Sequence, residues 1–126
     1  MRKYSQLFAL VVLICCVLVG CQIWNADGVK SFAMEEYQSF IDAFPSEENV
    51  GSIADSEDAI RKAEAVWIEH YGEGVKEQQP YRVFYDDQND VWLVQGTLKG
   101  LRRKGGVPNI LIKGATGDVI AVWHEE

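Results

Sequence analysis

Cysteine is scarce here and stands where it can do little for a fold: the chain has three in 126 residues, Cys15, Cys16 and Cys21, and none beyond. Everything after residue 21 is therefore without a disulfide, a thiolate zinc site or a thiol nucleophile, and must stand on its hydrophobic core. Histidine is nearly as rare. His70 and His124 are far apart in sequence and share no motif with a Ser or an acid that would make a catalytic set. No phosphate-cradling loop is present: Gly96, Gly100, Gly105 and Gly106 do not fit GxxxxGK[ST], and no helical pattern follows them. Asp86, Asp87 and Asp90 lack the downstream Gly and Glu of a calcium loop and read as hairpin-turn residues. Positive charge is also in deficit, with 12 basic against 19 acidic residues and a formal charge of −7. That balance excludes the basic footprint of a nucleic-acid binder and favours basic partners. No cofactor, metal or catalytic residue is expected.

Long apolar runs are limited to one. Leu7 to Val19 is 13 residues without a charge, preceded by Met1-Arg2-Lys3. A bilayer-spanning helix needs about 20 apolar residues, so the segment reads as a secretory signal with a basic start and a short apolar centre. Its end, Leu18-Val19-Gly20-Cys21, resembles the bacterial lipobox. The resemblance implies a signal peptide over 1–20, cleavage before Cys21, and lipidation of that thiol and of the new amino terminus. Several acyl chains together hold a protein stably at a membrane. Gln22 is not the Asp that, in enteric lipoproteins, retains the protein at the inner membrane. The expected location is thus the outer membrane facing the periplasm if the source has two membranes, and the outer face of the cell if it has one. Loss of Arg2 and Lys3 would leave the chain more acidic still.

Residues 21–30 then read as a lipidated tether and 31–126 as one domain. Ser31 is placed as the cap of a first helix, in which Ala33, Tyr37, Phe40, Ile41 and Phe44 recur at helical spacing until Pro45 ends it. A polar connector follows over 45–54. Asp55 or Ser56 caps a second helix, with Glu57 and Asp58 in its first turn and Gly72 just past its end. Ile60, Ala63, Val66, Trp67 and Tyr71 form its apolar stripe. From Tyr81 the period becomes two, and strands are expected over 81–85, 91–98, 107–113 and 118–123, joined by turns and by a basic loop at 99–106. One apolar sheet face covered by the Trp67 helix gives an α+β domain. Trp67, Trp92, Val94, Ile110 and Ile120 are core candidates, and Gly72, Gly105, Gly106 and Gly117 suit positive φ.

Five stretches carry a family resemblance: AEAVWIEHYGEGV at 63–75, QPYRV at 79–83, VWLVQGTL at 91–98, GGVPNILIKGATGDVI at 105–120 and the terminal Trp123-His124. Over 56–124 the chain resembles immunity proteins with a nuclear-transport-factor-2-like fold, encoded beside polymorphic toxins such as the rearrangement-hotspot (Rhs) proteins. The resemblance implies a small antiparallel meander of three to four strands covered by one or two helices, a cystatin-like or nuclear-transport-factor-2-like cone. It also implies a binder rather than an enzyme, whose partner is a cognate toxin. A basic toxin would suit the acidic chain, with Glu35, Glu36, Asp86, Asp87, Asp90 and the basic pair Arg102 and Arg103 as candidate contacts. Oligomeric state is left open.

Two other readings compete. GVPNILIKGATGDVIAVW at 106–123 also looks like the strand-turn-strand of PepSY-type domains, which implies a periplasmic module restraining a protease or a sensor. An envelope hydrolase would need converging polar groups in a pocket, for which the sequence supplies no motif.

Overall fold

The fold is described by a computed structural model over residues 28–98 and 106–125. Five strands appear in chain order: β1 (Val29–Ser31), β2 (Arg82–Asp86), β3 (Val91–Gln95), β4 (Pro108–Lys113) and β5 (Val119–His124). They form one sheet in that same order, with β2 to β5 an antiparallel meander and β1 added parallel to β2. The sheet thus has five strands rather than three or four. The extra one comes from Val29–Ser31, too short to show an alternating pattern, and it contains the Ser31 expected to cap a helix.

The helical segment after it is also different in kind. A 3₁₀ turn at Met34–Tyr37 runs into α1 (Gln38–Ala43), and neither has a side-chain cap. The 16-residue α2 (Ser56–Tyr71) is the long helix, followed by a second 3₁₀ turn at Glu73–Gln78. Among the described residues no helix is long and apolar enough to cross a membrane.

Alternation sends the sheet's apolar side chains both ways. Val94, Ile110, Ile112, Val119 and Val122 pack under α2 against Ala59, Ala63, Val66 and Trp67. Val91, Leu93, Leu111, Ala121 and Trp123 point to the opposite face, where Phe32, Met34, Tyr37, Phe40 and Ile41 cover them. The expectation of one apolar face is therefore corrected to two. Pro108 to Ile112 is buried without interruption, as in a strand covered on both sides. A register shift between Leu111 and Ile112 makes Val119 and Val122 share a face despite their odd spacing. Of the expected core, Trp67, Val94 and Ile110 are fully buried. Trp92 and Ile120 pack on the two clusters half-buried, and Tyr71, at the end of the stripe, is 42% exposed.

Two local devices fix the frame. Asp55 caps α2 by accepting the Asp58 amide at 2.8 Å, and Asp58 in return accepts the Ala54 amide at 3.0 Å. Asp58 also pairs with Arg61 at 2.5 Å and Lys62 at 3.0 Å. The Ala54 bond first, and the Lys62 bond next, pull the Asp58 carboxyl down to about 2. In the turn between β4 and β5, Gly117 has φ +76° and a Cβ there would lie 1.9 Å from the carbonyl oxygen of Gly51 in the connector.

Both devices are testable by urea unfolding. Gly117→Ala is expected to cost at least about 2 kcal/mol, since strained backbone and a clash with main chain add. Asp58→Asn should cost on the order of 1–2 kcal/mol at neutral pH. A carboxylate with a depressed folded-state pKa stabilises fully above its unfolded value of 3.8 and loses that contribution as pH falls through about 2. The gap between wild type and Asp58→Asn should therefore narrow from pH 5 to pH 2, and a gap that stays constant would refute this role for the carboxylate.

Candidate functional site

Four of the acidic residues singled out from the sequence converge at one corner of the molecule. The turn between β2 and β3 holds Asp86, Asp87 and Asp90, and the 3₁₀ turn brings Glu35 against it: the Asn89 side-chain amide donates to Glu35 at 3.2 Å. Glu35, Glu36 and Asp87 are exposed. Glu36 and Glu125 both lie close enough to Tyr37 that, after burial, their fields help to raise its phenol above the ordinary value.

Asp86 does not belong with them as a contact residue. It is only 4% exposed. One oxygen accepts the Gln88 and Asn89 amides at 3.0 and 3.1 Å. The other accepts the Asn89 side chain and the Met34 amide, each at 2.8 Å. The Asn89 bond, followed by the Met34 bond, holds its carboxyl below the usual range. Its work is to close the hairpin turn and to pin residues 32–44 onto the sheet. Asp90 is also engaged internally, at φ 54°. It accepts the Tyr85 hydroxyl and the Ala115 amide, each at 2.8 Å. Exposure, the ground for choosing both as contacts, is thus wanting in Asp86 and reduced in Asp90. Cys21, Arg102 and Arg103 lie outside the described residues.

A second surface, missed in the sequence, sits across the sheet. The connector after α1 runs along the outer edge of β5: the Val122 amide donates to the Phe44 carbonyl at 3.3 Å, Ser46 to Ile120 at 3.1 Å and Val119 to Glu48 at 2.9 Å. Between this connector and the last turn of α2 lies an open cleft of 610 Å³, lined by Phe44, Pro45, Ser46, Glu47, Glu48, His70 and Val122. His70 Nε2 is 2.5 Å from a Glu48 oxygen. Beside the cleft the Tyr71 ring packs on both histidines, 5.8 Å from His70 and 5.4 Å from His124. The two histidines, unrelated in sequence, thus flank one tyrosine. Phe44 is 47% exposed, more than any other large hydrophobic residue among those described. Its helical phase marked it for the core, but Phe44 closes α1 outside helical geometry at φ −131° and turns outward.

A third hollow, of 470 Å³, opens between the start of α2 and the β1–β2 edge, where Ile60, Tyr81 and Val83 meet Lys30 and Arg82. Tyr81 donates to Glu64 at 2.6 Å, and burial, with that bond, pushes its phenol up to about 12. Among the described residues no group of three His, Cys, Asp or Glu side chains could hold a metal ion.

The family model of the NTF2 fold immunity proteins matches residues 58–126. The chain belongs to this family. The match starts within α2 and takes in β2 to β5, so the immunity fold comprises the helix-covered meander, while β1, α1 and the connector wall of the cleft come before it. Membership points to toxin neutralisation. No curated protein and no solved structure gives a match.

Asp86→Ala should separate the structural acid from the exposed ones. Loss of four hydrogen bonds to a buried carboxylate is expected to cost about 2 kcal/mol or more, and limited proteolysis should then cut first within residues 28–44. Glu35→Gln and Asp87→Asn should shift stability by no more than about 0.5 kcal/mol. Equal proteolytic patterns for Asp86→Ala and wild type would show that the carboxylate does not anchor the segment.

Proposed function

We propose that this chain is an exported lipoprotein that binds and neutralises a cognate toxin in the periplasm. Membership of the NTF2-fold immunity family carries the reading. The signal-like start and Leu18-Val19-Gly20-Cys21 support the export and the lipid at Cys21. The partner is a basic toxin. A net charge of −7, together with the exposed Glu35, Glu36 and Asp87, would draw a basic protein in from solution. Charges at such distances act mainly on the rate of encounter. Neutralisation proceeds by occupying the toxin's active site or its path to target, with no chemistry performed by the immunity protein. Held at the outer membrane by its acyl chains, the protein meets incoming toxin before the toxin reaches its target.

Deletion of the gene followed by challenge with the toxin encoded beside it tests the reading. Survival should fall sharply and return with the wild-type gene in trans. A Cys21→Ala copy should lose incorporation of labelled palmitate and protect less well. Unchanged survival of the deletion strain would refute the immunity role, and a palmitate-free wild-type protein found in the cytosol would refute the location.

A further inference from the structure

We propose that the cleft between the Phe44–Glu48 connector and the end of α2 is the docking surface for a lysine- or arginine-bearing loop of the toxin. This rests on the immunity reading and adds to it where the partner is gripped.

Three observations select this face. Phe44 and Tyr71 are two of the three exposed large hydrophobic residues among those described, and both flank the end of β5: Phe44 through its backbone bond to Val122, Tyr71 through its ring contact with His124. Exposed aromatics around a buried floor, here Val122 at 8% exposure, have the make-up of interface anchors.

Acidic groups dominate the cleft. Glu47 and Glu48 line it and no lysine or arginine does, while its one histidine, His70, already faces Glu48 and leaves Glu47 unengaged by it. The described cations are placed elsewhere. Arg61 and Lys62 pair with Asp58, Lys76 with Glu73, and Lys113 donates to the Asn89 carbonyl. Lys30 and Arg82 line the hollow at the other end of α2. A guanidinium or ammonium group entering here meets carboxylates at the wall and the Phe44 face beside them. Carboxylate pairing and cation–π attraction then act on the same group.

The third observation is rigidity. The connector wall is tied to β5 by backbone bonds at Phe44, Ser46 and Glu48, and the His70 contact holds the Glu48 side chain against the helix. A surface already in shape loses little entropy when it is occupied.

The corner at Glu35, Glu36 and Asp87 and the cleft then have separable kinetic roles. The corner attracts, and the cleft holds.

The experiment measures association and dissociation rates of the full-length protein with the purified toxin of the neighbouring gene, catalytically inactivated, across salt concentrations. Phe44→Ala and Tyr71→Ala are expected to raise the dissociation rate by about 30-fold each, the scale of an interface anchor. Glu47→Lys should raise it as well, whereas Glu35→Lys and Asp87→Lys should slow association at low salt and leave dissociation within about 3-fold. Matching thermal unfolding of each variant to wild type keeps a folding defect apart from a lost contact. Glu47→Lys, at an exposed position, still reports on the cleft if an aromatic variant is unstable. Wild type that binds tightly while the three cleft variants dissociate like it would overturn the cleft and leave the immunity role standing. Wild type that does not bind the toxin would overturn both.

Discussion

Strand β4 imposes the condition under which everything else is arranged. Pro108 to Ile112 is buried on both sides, so the sheet cannot rest on one helix and leave its other face to water. α2 meets half of the demand with Ala59, Ala63, Val66 and Trp67. The other half falls to residues 32–44, whose six-residue α1 could not persist in water by itself. Its rings make it stay: Phe40 stacks on Trp123 at 4.8 Å and 15°, and Tyr37 and Phe32 add edge and tilted contacts around it. The Asp86 carboxylate adds a polar anchor at Met34. The family match, beginning at residue 58, covers only one of the two layers that this strand requires.

Much of this was legible in the residues. α2 announced itself by its acidic first turn, its apolar stripe and Gly72, and the four meander strands by their period of two and their turns. The same reading placed one apolar face on the sheet, because, of the run Ile110, Leu111 and Ile112, only Ile110 was named for the core and Leu111 was given no cover on the other side. Three consecutive buried residues in a strand already imply two covers. β1 was beyond reach, since three residues carry no period, and a parallel pairing with β2 spans more than 50 intervening positions.

The acidic contacts show the same division. Charge and turn composition picked out Glu35 and the 86–90 turn as acidic, and the fold brings them together. They could not show that Asp86 faces inward, which depends on the Met34 amide arriving from 52 residues away. The cleft was illegible for a related reason. Phe44 sits in helical phase with Phe40 and Ile41, and only the break in backbone geometry at the end of α1 turns it to the surface. His70, Tyr71 and His124 become neighbours only when β5 passes the last turn of α2.

Sheets with bare edges recruit one another, strand to strand, through their unpaired backbone groups. Here the connector that walls the cleft spends its hydrogen bonds on the outer side of β5, from Phe44 through Val50. The remaining border is β1, only three residues long, which offers a template too brief for stable self-pairing. The β5 border is thereby closed to strand-on-strand growth, and by the very residues proposed to take hold of another chain.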